Sequence, residues 1–347
     1  MAIGGALTVV SIKDIASKCN VSIATVSKAL NGHHDVSEET RARIREAAQE
    51  MGYITNAAAR SLKTNRTYNI GIIFEDNRSL GLAHDYFSLV LGSIRNEAED
   101  KGYDITFISR NVDRKYSGYL QHCQYRGVDG VIIVNEDYED PIVTELVHSE
   151  LPMVTIDHVF NNRIAVMSDN FEGPRTLVKY AAGMGHRRIA FLHGEDTSVS
   201  ENRLRGFYSA CDEEGIRVRP EYLDESFYHD AQQCYEKTKR LLSLEEPPTC
   251  IMFPDDYSSI GGINAVREAG LSIPEDLSVM GYDGIGYAEV MSPSLTTYRQ
   301  NTEVLGRTAA ARLIELIEKP RTAVLDRIIV KGKIVKGGSV VPPASGK

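Results

Sequence analysis

At Tyr68 the hydrophobic pattern of this chain changes its period, and that switch constrains the fold more than any other feature. Before it, apolar residues recur at helical spacing. Ile12, Ile15, Ala16 and Cys19 fall at i, i+3, i+4 and i+7, one face of a short helix. Asn20-Val21-Ser22 interrupts them, and Ser22 is suited to cap a second helix. In that helix Val26, Ala29 and Leu30 form the inward stripe, leaving Ile23, Ala24, Thr25, Ser27 and Lys28 near the outside; Asn31-Gly32 ends it. A third helix is expected from near Ser37, with Ile44, Ala47, Ala48 and Met51 at the same spacing and Gly52 as its stop. Three short helices with a tight turn between the first two make a helix-turn-helix, whose second helix can offer its N-terminal side chains to a major groove. The spacing alone is equally compatible with a small helical bundle that touches nothing.

After the switch, short β-rich apolar runs alternate with amphipathic helices. Strands are predicted at Ile70–Phe74, Ile105–Ser109, Val131–Val134, Met153–Ile156, Ile189–Leu192, Cys250–Phe253 and Ser278–Gly281. Gly102, Gly127, Gly185, Gly215 and Gly270 stand where helix C-caps are needed between them. Such alternation reads as βαβ units in parallel sheets. A body of this length exceeds one comfortable doubly wound sheet, so two lobes are expected. Ligands in open parallel sheets bind beyond the carboxyl ends of the strands.

Charge divides along the same line. Residues 1–67 carry nine Lys and Arg against six Asp and Glu, a net +3, whereas the rest carries −12. A basic head suits a polyanion and an acidic body does not. The five cysteines, Cys19, Cys123, Cys211, Cys234 and Cys250, are odd in number and scattered, which fits reduced structural thiols better than a disulfide framework or a zinc site. No run reaches the roughly 18–20 apolar residues of a membrane span. The opening MAIGGALTVV lacks the basic start of a secretory signal, so the chain is expected in the cytoplasm without membrane contact.

The stretch SIKDIASKCNVSIATVSKALNG, followed by VSEETRARIREAAQEMGYITNAAARSLKTNRT, closely resembles the head of the lactose-repressor/galactose-repressor family over about sixty positions. The resemblance implies a DNA-binding transcriptional regulator, a repressor acting as a homodimer on a pseudo-palindromic double-stranded operator. It puts Ile23, Ala24 and Lys28 at base-reading positions. Ser22, Thr25 and Ser27 become phosphate contacts or caps, with Asn31, Asn56 and Ala59 also at the DNA. Leu62 becomes a wedge entering the minor groove from a hinge element at Asn56–Lys63. That element is shorter than the roughly 12–15 residues an isolated helix needs, so it suits a segment helical only when docked. Thr55 stands where many family members carry proline.

The body resembles the same family through NIGIIFED, KGYDITFIS, RGVDGVIIV, MSDNFEG, GHRRIAFL, RLRGF, SVMGYDG and LTTYRQ. The implied fold class is α/β: a periplasmic-binding-protein-like type I core of two parallel-sheet lobes, preceded by an all-α helix-turn-helix head. The expected divisions are residues 11–54 for the head, 55–66 for the hinge, 67–163 plus about 292–325 for the first lobe, and 164–291 plus about 326–342 for the second. A small-molecule effector, a sugar or sugar derivative, is expected between the lobes, with no cofactor and no metal. The family pattern directs Tyr86, Phe87, Asp157, His158, Arg203, Phe227, Asp255 and Asp283 to that cleft, with Phe87 also a candidate for the core and Tyr228 the alternative to Phe227. Asp255 stands where relatives often carry Asn; a carboxylate only accepts hydrogen bonds, which favours a polyol, amino sugar or cation over an anion. Asp256 is read as structural. The helix Glu303 to Glu318 is apolar enough for packing or a dimer seam.

Enzyme readings fare worse. GYDGIG at Gly281–Gly286 is not a dinucleotide fingerprint, and neither GxSxG nor HExxH occurs. His186 and His193 have no partners at metal spacing.

Overall fold

The computed structural model describes residues 10–30, 34–53, 66–75, 81–113 and 116–344. The chain divides into two compact units, residues 1–67 and 68–347, each folded on its own core.

In the head, helices span Ile12–Cys19, Ile23–Leu30 and Glu38–Glu50. The Ser11 hydroxyl and amide donate to Asp14 Oδ2 at 2.7 and 2.8 Å, which opens the first helix and holds the Asp14 carboxyl below its ordinary range. Asn20 closes it in the left-handed region, at φ 51°. Two residues later Ser22 Oγ accepts from the Thr25 amide at 3.0 Å and starts the second helix. The turn is therefore three residues of capping chemistry, and it aims the two helices so that Ile15, Val26, Ala29 and Ile44 meet with no exposed surface.

In the core unit, the first lobe opens with β1 (Asn69–Phe74), β2 (Asp104–Phe107), a small hairpin of β3 (Asn111–Asp113) and β4 (Tyr116–Ser117), β5 (Gly130–Asn135), β6 (Met153–Ile156) and β7 (Ile164–Ser168). Next come β8 (Ile189–His193), β9 (Leu223–Glu225), β10 (Cys250–Met252), β11 (Ser278–Asp283), β12 (Thr296–Arg299), β13 (Arg327–Val330) and β14 (Lys333–Val335). Among the described residues they form two six-stranded sheets, ordered β13-β7-β6-β5-β1-β2 and β14-β12-β11-β10-β8-β9. All neighbours are parallel except β12 and β14. Helices cover both faces, which is why central runs such as NIGIIF and GVIIVN are apolar throughout rather than alternating. Gly102, Gly127, Gly185, Gly215 and Gly270 all take positive φ at helix ends.

The lobe boundaries differ from those expected. β7 closes onto β6 in the first sheet, so residues 164–168 belong to the first lobe. The stretch before it is a turn within the lobe, with Asn162 at φ 60°. β12 stays in the second sheet, and β13 returns to the first. The chain therefore crosses between lobes three times, at 168–172, 299–302 and 330–333. The helix Thr302–Glu318 buries Leu305, Ala309, Leu313 and Ile317 in the first lobe's own core, beside Val90 and Ile94 of the helix Asp85–Asp100. Most of the apolar stripe is thus internal packing, while Val304 stays 44% exposed. All five cysteines are buried thiols, and burial pushes Cys123, Cys211 and Cys234 up to about 12.

Candidate functional site

On the head, the second helix turns Val26 and Ala29 inward and leaves Ser22, Ile23, Ala24 and Lys28 exposed, with Thr25 and Ser27 half-buried beside them. Ser22 and Thr25 are joined by a 2.8 Å hydroxyl contact, so these two caps are already ordered. Lys28 is paired with Asp35, both about half exposed. Exposed pairs contribute only about 0–1 kcal/mol, so a phosphate or base can take Lys28 from Asp35 at little cost. Asn31, Asn56, Ala59 and Leu62 lie outside the described residues.

In the core unit, the carboxyl ends of both sheets face a cleft of about 710 Å³. Of the cleft residues expected from sequence, Tyr86, Phe87, Asp157, His158, Arg203, Asp255 and Asp283 line it. Phe227 does not; it is 38% exposed, and the neighbouring Tyr228 takes that wall. The residue after them, His229, takes φ 58°, and this kinked turn places Tyr228 rather than Phe227 over the cleft.

Two aspartates form the floor. Asp157 follows β6 at φ 54°, and Asp283 ends β11 at φ 100°. With His229, three of the described non-glycine residues at positive φ line the cleft, and backbone strain of this kind collects at functional sites. Asp157 Oδ1 accepts from the Ser168 amide at 2.7 Å and from Asn170 at 3.1 Å, and its Oδ2 accepts from the Tyr86 hydroxyl at 3.3 Å. Asp283 Oδ1 accepts from Gln300 Nε2 at 2.7 Å. Burial pushes both carboxyls up to about 6, against the Ser168 amide for Asp157 and the nearby Arg203 charge for Asp283.

Arg203 sits on the helix Ser198–Glu213 rather than at a strand end. It is 6% exposed; Nε donates to Asn170 Oδ1 at 3.1 Å and Nη1 to the Pro254 carbonyl at 3.0 Å. Its guanidinium lies 3.7 Å over the Tyr282 ring and 5.1 Å from that of Tyr228. Asn170 thus bridges Asp157 and Arg203, coupling the two lobes' charges through one amide.

Asp255 is committed to structure. It caps the helix Asp256–Glu268: Oδ1 accepts from the Ser258 amide and Oδ2 from the Ser258 hydroxyl, each at 2.7 Å, while Oδ2 also takes the His229 amide at 2.7 Å. Asp255→Ala is therefore expected to lower core stability by about 1–2 kcal/mol through the lost cap, read as a shift of the urea midpoint. Asp256 is fully buried and its Oδ2 accepts from the Gly284 and Ile285 amides, holding the loop behind Asp283.

Sequence reasoning passed over several cleft residues. Gln300, inside LTTYRQ, lines the cleft, and Asn170, inside MSDNFEG, stands behind it between Asp157 and Arg203. Tyr138 stacks on His158 at 3.9 Å, and His84 of one lobe lies 4.4 Å from His229 of the other, which in turn stacks on Tyr257 at 3.7 Å. No spacing of apolar residues announces these ring contacts. Among the described residues no group of His, Cys, Asp and Glu could hold a metal, and His186 instead bonds Thr249 and the Val341 carbonyl.

A helix-turn-helix head joined in one chain to a two-lobed periplasmic-binding-protein-like core defines a class of DNA-binding regulators. Residues 11–56 match the lacI family of bacterial regulatory proteins, and residues 178–340 match the periplasmic binding protein-like domain. The probable HTH-type transcriptional repressor ExuR of Bacillus subtilis (strain 168) is 31% identical, over 90% of this chain and 93% of its own length. The HTH-type transcriptional repressor PurR of Pasteurella multocida (strain Pm70) is 31% identical over 89% and 92%. Among solved structures, the lac repressor dimer bound to operator and the anti-inducer ONPF superposes with a TM-score of 0.80 at 26% identity, covering 96% of this chain and all of that one. A LacI family regulator from Enterococcus faecium with bound ribose gives a TM-score of 0.68 at 26% identity, over 79% and 99%. This chain belongs to the lacI family of bacterial regulatory proteins: it is a DNA-binding transcriptional repressor and not an enzyme. No helix among the described residues is long and apolar enough to cross a membrane.

Proposed function

We propose that this repressor acts in the cytoplasm as a homodimer on a pseudo-palindromic operator, and that a sugar or sugar derivative in the interlobe cleft sets its operator affinity. The observation that carries the reading is the floor of the cleft, where Arg203, Asp157, Asp283 and Gln300, backed by Asn170, present charged and amide groups between the Tyr86, Tyr138 and Tyr228 rings. Sugar hydroxyls need paired donors and acceptors, and sugar C–H faces pack on aromatic planes. The lac repressor dimer on its operator and the ribose-bound regulator support the same arrangement. Effector must bind one lobe arrangement better than the other, and effector and operator affinities are then coupled reciprocally.

In this reading Ile23, Ala24 and Lys28 meet base edges, Ser22, Thr25 and Ser27 meet phosphates, and Asn31, Asn56, Ala59 and Leu62 complete the contact. The test is fluorescence anisotropy with an operator selected from random DNA, with and without each member of a sugar panel. Operator affinity should fall linearly with salt on logarithmic axes, since neutralised phosphates release counterions. Lys28→Ala should weaken it by ~1–3 kcal/mol. Wild-type affinity for that variant removes Lys28 from the reading face. An operator affinity that no sugar in the panel alters overturns the effector assignment.

A further inference from the structure

We propose that the effector carries an ammonium group: the cleft is built for a free-amine sugar and rejects uronates and sugar phosphates. This rests on the sugar reading above. Among the described residues lining the cleft, nine are Asp or Glu, one is Arg and none is Lys; even with Asp255 spent on its helix cap, Glu136 paired with Arg110 and Glu201 with Arg205, the acids outnumber the lone cation. The lone guanidinium bonds Asn170 and the Pro254 carbonyl and lies over the Tyr282 face, and the Asp157 and Asp283 carboxyls beside it outnumber it two to one.

The carboxylates occupy two levels. At the mouth, exposed Asp137 and Glu139 on the first lobe answer exposed Asp196 and Glu201 on the second, so like charges line both lips. An anionic ligand must pass these lips, whereas a cation is drawn in. On the floor, Asp157 and Asp283 are two carboxylates against one guanidinium, in surroundings where a buried charge persists only when paired. Burial pushes both carboxyls up to about 6, and the Arg203 charge only partly offsets it. The walls supply the second half of amine recognition. Tyr86, Phe87, Tyr138 and Tyr228 line the same space, and an ammonium over an aromatic face is held by the ring quadrupole as well as by carboxylates.

The sign of the pH dependence follows. An ammonium on Asp157 or Asp283 requires the ionised carboxylate, so binding expels any proton there. Affinity is present near pH 7, where carboxylate and ammonium are both charged, and is lost as pH falls through about 6. An anionic ligand would show the opposite slope.

The test is isothermal titration and thermal shift of the full-length repressor with matched hexose sets. Each set holds the free-amine sugar, its N-acetyl derivative, the neutral parent and the uronate, at about pH 7 and about pH 5. The expected result is at least one free-amine sugar binding roughly 10- to 100-fold more tightly than its N-acetyl and neutral counterparts, as one charge-assisted contact provides. Uronates should not bind, and the advantage should shrink at the lower pH. In Asp283→Asn the preference for amine over neutral parent should collapse towards one, while thermal shift shows whether the variant folds. If Asp283→Asn does not fold, Asp157→Asn serves the same comparison. Neutral or uronate sugars binding as tightly as the amine overturn the charge assignment and leave the sugar reading standing. No binding by any class overturns the sugar reading itself, and this inference with it.

Discussion

Gly261→Ala is expected to cost the core about 3 kcal/mol or more, enough to leave a marginal domain unfolded. The helices Ala231–Leu242 and Asp256–Glu268 meet backbone to backbone there, and a Cβ at position 261 would lie 1.7 Å from the Ala231 carbonyl oxygen. Backbone on both sides leaves nothing soft to move. The contact also places one wall of the cleft, because the residues entering the first of these helices are tied to the second: the His229 amide bonds Asp255, and the Asp230 amide bonds Ser258. The control is Gly92→Ala, an exposed mid-helix site whose new Cβ would meet nothing within 4 Å. It should gain about 0.5–1 kcal/mol from helix propensity. Urea titrations read both. A Gly261→Ala variant unfolding at the wild-type midpoint would show that the two helices do not approach so closely.

Arg203→Met is expected to abolish the response to effector while operator affinity without effector stays within about twofold of wild type. The substitution keeps the length of the side chain and removes the charge that neighbours Asp157 and Asp283. Arg203 acts on the effector through the floor: its bond to Asn170, which in turn holds Asp157, is lost, so the half-saturating effector concentration should rise about 10-fold or more. Stability should respond to pH as well. Burial holds both aspartates at about 6 in the folded core, above the ordinary 3.8. The contribution they make is therefore full below about pH 4 and is lost as pH rises through about 6. Without the guanidinium the carboxyls rise further, so the variant's stability should fall more steeply over that interval. Operator anisotropy across an effector titration, together with urea midpoints at three pH values, separates sensing from folding. A variant that responds at wild-type effector concentrations places the ligand elsewhere.

How much of this could be read from the residues depends on what each element buries. β1, β5, β6, β8, β10 and β11 are near-continuous apolar runs with helices on both faces, and a run of that kind is visible without any partner. β12 is not. Its Thr296 and Thr297 are fully buried yet polar, and the Thr296 amide is satisfied by Ser339, more than forty positions away. β13 and β14 are edge strands whose partly exposed residues alternate weakly. The five glycine caps were legible because a helix end demands positive φ and glycine supplies it.

The cleft was legible where an acid closes a strand within a recognisable motif, as with Asp157 and Asp283. It was misread where backbone conformation chooses between neighbours, as with Phe227 and Tyr228. Asp255 shows a third case: its carboxylate lines the cleft, but three protein donors have already taken it. Composition identified the charge type there without revealing that it was spent on a helix cap.

The three crossings between lobes also set an order of birth for this protein on the ribosome. All three head helices are complete once residue 50 has emerged, and each is held by contacts no more than about a domain-length apart. The sensing core has no such early milestone. Its first sheet lacks an edge until β13 ends at Val330, and its second until β14 ends at Val335, so both lobes wait for nearly the last residues made. A ribosome stalled anywhere between those points carries a finished head on a sensor that does not yet exist. Translation thus delivers the reader of DNA before the module that can command it.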